Sequence, residues 1–153
     1  SLNDIPDVLL AGLENATAFA SLVGGAGDYN GDGFDDILVA APFADDTLNE
    51  LSNSGKVYLY YGGSSMDTSA DLTFIGTSNF QLLGQTGVLG VGYVNEDGFG
   101  DILIAAEAAE GGGSDRGEAY LYLGSRNPDN QVDYTFMGQT DGERLGGSLF
   151  RRE

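Results

Sequence analysis

The chain repeats itself, and a repeat fixes the unit that has to fold. Gly27-Asp-Tyr-Asn-Gly-Asp-Gly-Phe-Asp-Asp-Ile-Leu-Val-Ala-Ala41 returns as Gly92-Tyr-Val-Asn-Glu-Asp-Gly-Phe-Gly-Asp-Ile-Leu-Ile-Ala-Ala106, a shift of 65 residues. Gly55-Lys-Val-Tyr-Leu-Tyr-Tyr-Gly62 returns as Gly117-Glu-Ala-Tyr-Leu-Tyr-Leu-Gly124, a shift of 62. The difference falls in the intervening loop, which is longer after Pro42 than after Glu107. Phe74 in Leu72-Thr-Phe-Ile-Gly76 matches Phe136 in Asp133-Tyr-Thr-Phe-Met-Gly138, and Leu83-Gly84 matches Leu145-Gly146. A degenerate copy of the Phe74 element precedes both, in Val8-Leu-Leu-Ala-Gly12.

Each unit reads as short β-rich runs bounded by Gly, Asn and Asp. Ile37 to Ala41 and Ile102 to Ala106 are continuous apolar runs, as strands buried on both faces require. Val57 to Tyr61 and Ala119 to Leu123 place aromatic residues for packing between sheets. Phe19 to Gly25 and Gly84 to Gly90 are Gly-spaced candidates for an inner strand where backbones crowd. With the Phe74 and Phe136 strands, each unit has four. Four-stranded sheets repeated radially predict an all-β fold of antiparallel β-propeller blades, with a doubled β-sandwich as the alternative. The expected division is an outer strand of a preceding blade over 1–12, one blade over 13–76, a second over 77–138, and the start of a third repeat over 139–153. Two blades and flanking strands cannot close a ring. Their Val, Leu, Phe and Tyr faces predict self-association, by assembly into one ring or by swapping of the duplicated strands. The shared element at Val8 to Gly12 and Thr135 to Gly138, with a stop inside a repeat at Arg151-Arg152-Glu153, favours a segment of a longer protein.

Composition excludes several chemistries. With no His and no Cys among 153 residues, the chain cannot build a Ser-His-Asp triad, a Cys-His dyad, a zinc cage or a disulfide. The net charge of −18 repels phosphate backbones and anionic lipid, which argues against nucleic acid as a partner. No run approaches the ~20 apolar residues of a membrane span, so no membrane insertion is expected. Nothing at the N-terminus resembles a signal peptide.

The acidic residues instead point to a hard cation. In Asp28-x-Asn30-x-Asp32-Gly33-x-x-Asp36, side-chain oxygens at alternate positions converge if the chain curls, and Gly33 permits the turn. The Phe34 carbonyl points inward and Asp36 closes the ring. This all-oxygen set suits Ca²⁺. An EF-hand would need Glu at its twelfth position, where Val39 stands in an apolar run. A metal-free hairpin turn would crowd Asp28, Asp32, Asp35 and Asp36 into nine residues against their mutual repulsion. The second loop offers Asn95, Asp97, the Phe99 carbonyl and Asp101, but Tyr93 replaces the first carboxylate, and Glu96 stands at the place of Gly31. Calcium there binds more weakly, or the loop keeps its shape without it.

At these residues the chain resembles the FG-GAP repeat, the blade unit of integrin α-chain propellers and of many bacterial extracellular proteins. The match runs from Gly27 to Pro42, through the Gly-x-Val-Tyr-Leu-Tyr strand, to the Phe-x-Gly opening of each unit. The Gly-Ala-Pro signature reads Ala40-Ala41-Pro42 and Ala105-Ala106-Glu107. The Phe-Gly signature is degraded to Leu83-Gly84 and Leu145-Gly146 and lost around Phe19. The resemblance implies calcium at Asp28, Asn30, Asp32, Phe34 and Asp36, and in the second unit at Asn95, Asp97, Phe99 and Asp101. It also implies an extracellular or cell-surface adhesion or ligand-binding module without catalysis. The loops Phe43 to Ser54 and Ala108 to Arg116 differ most between units and are the expected partner-facing surface, for a protein or a glycan. The alternatives are a lectin-like module or a part of a polysaccharide-active enzyme, for which Asp45, Asp46, Glu50, Glu107, Glu110 and Glu118 form no recognisable acid–base motif.

Overall fold

Short runs of four to six residues, continuously apolar in the middle strand of each repeat, close into eight strands and, among the described residues, no helix. The computed structural model describes residues 8–12, 17–110 and 113–147. Strands β1 (Val23–Gly27), β2 (Asp36–Ala41), β3 (Lys56–Tyr60) and β4 (Leu72–Ile75) form one antiparallel meander. Strands β5 (Val88–Gly92), β6 (Asp101–Ala106), β7 (Glu118–Tyr122) and β8 (Tyr134–Met137) form a second of the same order. Even the irregularity is repeated, a register shift between Gly25 and Gly27 in β1 and between Gly90 and Gly92 in β5.

The sheets stack as successive blades of a partial propeller. They approach at the inner strands, where β1 and β2 meet β5, and diverge toward β4 and β8. Glycine makes that approach possible: a Cβ on Gly24 would stand 2.6 Å from the Val88 carbonyl oxygen, and one on Gly90 2.6 Å from that of Gly25. Further out the wedge fills with large side chains. Leu38, Ala40, Val57, Leu59 and Phe74 of blade 1 share one buried cluster with Ile102, Ile104, Tyr120 and Tyr122 of blade 2. The Phe74 and Tyr122 rings lie 4.5 Å apart, tilted by 56°.

The middle strands start one residue before their apolar runs, because Asp36 and Asp101 already join the ladder. The inner strands differ more. They start at Val23 and Val88, not at Phe19 and Gly84. The residues before them cannot be extended, since Ala18, Ala20, Leu82 and Gly84 have φ of 51°, 61°, 55° and 82°. These connectors lie between blades: the Gly84 amide donates to the Ala105 carbonyl of β6 at 2.8 Å. Residues 8–12 fall outside the eight strands, and 1–7, 13–16 and 148–153 of the terminal segments lie outside the described residues.

Candidate metal centre

The turn from β1 to β2 has to reverse the chain while holding four carboxylates, and it does so by folding side chains onto its own amides. The Asp28 oxygens accept the amides of Asp32 and Gly33, each at 2.9 Å. The Asn30 side-chain oxygen accepts the same Asp32 amide at 2.9 Å. Asn30 Nδ2 donates to Asp32 Oδ2 at 2.8 Å, and Asp32 Oδ1 accepts the Phe34 amide at 2.9 Å. Two predicted donors, Asp28 and Asn30, thus meet on one backbone N–H, and Asn30 Nδ2 ties the third, Asp32, to them.

Asp36 stands apart at the first position of β2. It is 1% exposed, and its two oxygens accept the amides of Tyr29 at 2.9 Å and Gly62 at 2.8 Å. Burial pushes its carboxyl above the usual range, with the Asp32 and Asp28 charges adding, while the two amides pull it back down. Asp36 therefore ties the turn to the end of β3, a bracing role that the motif alone did not disclose. Phe34 is exposed, its ring beside Gly63.

The second turn copies this construction except at one point. Asn95 Nδ2 donates to Asp97 Oδ2 at 2.7 Å, Asp97 Oδ1 accepts the Phe99 amide at 2.9 Å, and Asp97 N reaches Asn95 Oδ1 at 3.3 Å. The Asp101 oxygens accept the amides of Val94 at 2.6 Å and Gly124 at 3.0 Å. At the position of Asp28 the exposed Tyr93 offers only its carbonyl, to the Glu96 amide at 3.3 Å. Glu96 holds the left-handed backbone of Gly31, φ 61° against 74°.

The two turns are also joined to each other. The carbonyls of Asp28 and Tyr29 accept the amides of Gly100 and Ser125 at 2.7 and 3.0 Å. The Phe99 ring lies on Gly31, where a Cβ would stand 2.3 Å from a ring carbon. Sequence reasoning assigned Phe99 only a carbonyl; its ring couples one loop to the next. Gly31→Ala must therefore displace that ring from a left-handed position. We expect a loss of about 1–2 kcal/mol, read as a lower melting temperature.

Among the described residues no three acidic side chains form a ready-made metal cage. The donors nonetheless suit a hard divalent ion. They are all oxygens, and a carboxylate oxygen that accepts one amide keeps a lone pair. Of the carboxylates weighed for acid–base work, Asp45, Asp46 and Glu50 line one open pocket beside Leu51 and Ser52. Asp46 binds Asn49 and the Leu48 amide within its own loop, and Glu118 accepts the Tyr120 hydroxyl.

Comparison with known proteins agrees with this architecture. The model of the FG-GAP repeat matches residues 20–60. Integrin alpha-5 of Xenopus laevis is 32% identical over 117 residues, covering 74% of this chain and 11% of that protein. Human integrin alpha-IIb is 35% identical over 134 residues, covering 80% and 12%. The phosphatidylinositol-glycan-specific phospholipase D of Rattus norvegicus is 30% identical over 131 residues, covering 80% and 15%. The chain thus spans only a small fraction of the length of the relatives it matches. Among the described residues no helix is long and apolar enough to cross a membrane. With that match on blade 1 and the same strand order, bulge and turn in blade 2, the chain belongs to the FG-GAP repeat proteins and carries integrin-alpha-type propeller blades.

Proposed function

We propose that this chain is a non-catalytic binding module, extracellular or at a cell surface, whose inter-strand turns hold structural calcium. In the first turn Asp28, Asn30, Asp32, the Phe34 carbonyl and Asp36 hold the ion; in the second, Asn95, Asp97, the Phe99 carbonyl and Asp101 hold a weaker one. The observation that carries this reading is the meeting of Asp28 and Asn30 oxygens on the Asp32 amide, each at 2.9 Å. It gathers three oxygen-bearing side chains within a few residues of a buried fourth. A divalent ion offsets the repulsion among Asp28, Asp32, Asp35 and Asp36. It also secures the turn that carries the blade–blade contacts of Asp28, Tyr29 and Gly31. The likeness to integrin alpha chains supports adhesion or ligand binding as the role of the assembled blades, with a protein or a glycan as the partner. The phospholipase relatives fit a non-catalytic accessory module of an enzyme equally well, since the match covers 15% of that protein.

Calorimetric titration of chelator-stripped protein tests this. Calcium is expected to bind with one stronger and one weaker event. At a hundredfold excess over Kd it adds about 2.7 kcal/mol, which raises the melting temperature by roughly 5–10 °C for a chain of this size. No heat of binding and an unchanged melting temperature would remove calcium from the account.

A further inference from the structure

The wedge between the two blades stays open at its outer rim. Ile75 and Thr77 of blade 1 and Gln131 and Val132 of blade 2 line a cleft of about 580 Å³, together with Asp46 and Tyr122. Both walls are built by this chain, one from each blade. Small-ligand sites in folded proteins have volumes of about 300–1,000 Å³.

Tyr122 sets this cleft apart. It is 3% exposed with its ring on Phe74, and among the described residues no group accepts its hydroxyl. Tyr29 and Tyr120, buried like it, donate to the Asp129 carbonyl and to Glu118. No buried side-chain polar atom of the described residues is both dry and unpaired, so the Tyr122 hydroxyl reaches the cleft that it lines. Burial pushes the phenol further up, which keeps it a donor. Asp46 supplies acceptors. Its oxygens take the Asn49 side-chain amide at 2.6 Å and the Leu48 amide at 3.2 Å, and each keeps a lone pair. The Asn49 bond first, then the Leu48 amide and the Lys56 charge, hold this carboxyl below the usual range against its burial. Its charge is thus already compensated. Gln131 donates to Asn130 Oδ1 at 3.3 Å and has its own carbonyl left to accept.

The wall that carries Gln131 is fixed in advance. Asn130 Nδ2 donates to the Thr73 carbonyl of β4 at 3.0 Å, and Tyr29 holds the Ser125 amide and the Asp129 carbonyl. Binding therefore spends little on ordering that loop. The Asn130 bond also occupies a carbonyl of the outermost strand of blade 1, which an added peptide strand would need.

We propose that the cleft holds a neutral sugar, either a free oligosaccharide or the end of a glycan chain. Sugar hydroxyls both donate and accept, which suits a phenol donor beside carboxylate and amide acceptors. The C–H face of a sugar ring suits aliphatic Ile75 and Val132, 37% and 44% exposed. No basic side chain lines the cleft, so it has no partner for a carboxylated or sulfated sugar. The proposal rests on the reading of the chain as a binding module and gives that module a site of its own. None of the residues lining the cleft is a predicted calcium donor.

Titration of the full chain in calcium with glucose, galactose, mannose, N-acetylglucosamine, lactose and cellobiose, followed by saturation-transfer NMR, tests this. At least one is expected to bind with a Kd of about 1 mM or below. Tyr122→Phe keeps the ring on Phe74 and removes only the hydroxyl, so the fold stays, as a melting curve checks. It weakens sugar binding about five- to tenfold, as loss of one hydrogen bond does. Gln131→Ala, at an exposed position, weakens it similarly. The methyl glycoside of the bound sugar separates the two sources, and either result supports the proposal: it binds equally well if the cleft takes the end of a glycan, and fails if a free reducing end is needed. No binding of any of these sugars at about 10 mM, binding that ignores both substitutions, or binding of sialyllactose or triarginine in their place would overturn the proposal. Calorimetry with calcium is read separately. A protein that binds calcium and no sugar refutes the cleft alone, and one that binds sugar and no calcium refutes the ion alone.

Discussion

Asp36→Ala is expected to lower the melting temperature strongly whether or not calcium is present, while Asp28→Ala is expected to do so strongly only in calcium. The two carboxylates belong to one motif but meet different surroundings. Asp36 is 1% exposed and is the acceptor for the Tyr29 and Gly62 amides at 2.9 and 2.8 Å. Removing it leaves two donors without that acceptor, at about 1–3 kcal/mol for each that stays unsatisfied. A loss of about 3 kcal/mol corresponds to roughly 6–12 °C in a chain of this length, before any ion is considered. The Asp28 oxygens accept amides in an exposed turn, where water replaces them. Its removal in chelator costs within about 1 kcal/mol. In excess calcium Asp28→Ala forfeits the binding contribution, and Asp36→Ala forfeits it on top of the bracing. Melting curves of both variants in chelator and in calcium read the separation. An Asp36→Ala protein that melts like the parent in chelator would deny the carboxylate its bracing role.

That division was only partly legible in the sequence. Alternation of oxygen-bearing residues with a glycine marks a cation loop, because chemistry at short spacing is local. The motif named Asp36 as a donor but could not show that its oxygens reach the amide of Gly62 at the far end of β3. The Phe99 ring on Gly31 was invisible for the same reason, since its partner lies in the other repeat. Strand order was readable because the shifts of 65 and 62 residues place matching apolar runs in matching registers. The start of the inner strands was not. Glycine spacing reports backbone crowding, and crowding extends into the connector, where a Cβ on Gly84 would stand 2.6 Å from Val57. Phe19-Ala20 looked like a lost signature but keeps the backbone of its counterparts. Ala20 has φ 61°, where Gly84 has 82° and Gly146 has 86°. A left-handed alanine carries modest strain, so the conformation survives a substitution that erases the glycine from the text.

The register equivalence of Phe74 and Phe136 permits a direct measurement of what one blade gives the next. Both are phenylalanines in an outer strand, opposite Val57 and Ala119. They differ in burial, 1% against 50% exposed, because blade 2 covers only the first. Phe74→Ala removes a ring packed among Leu59, Val57 and Tyr122 and leaves a cavity between sheets. The expected loss is about 3–5 kcal/mol, or roughly 6–20 °C, against about 1 kcal/mol or less for Phe136→Ala measured on the dilute monomer. Stability in a linear array is the sum of each unit and its interface with the neighbour. Phe74→Ala weakens the interface term, so its calorimetric transition should also broaden or split, whereas that of Phe136→Ala stays single. Equal losses at the two positions would mean that each sheet stands on its own packing and that the contact between blades contributes little to the fold.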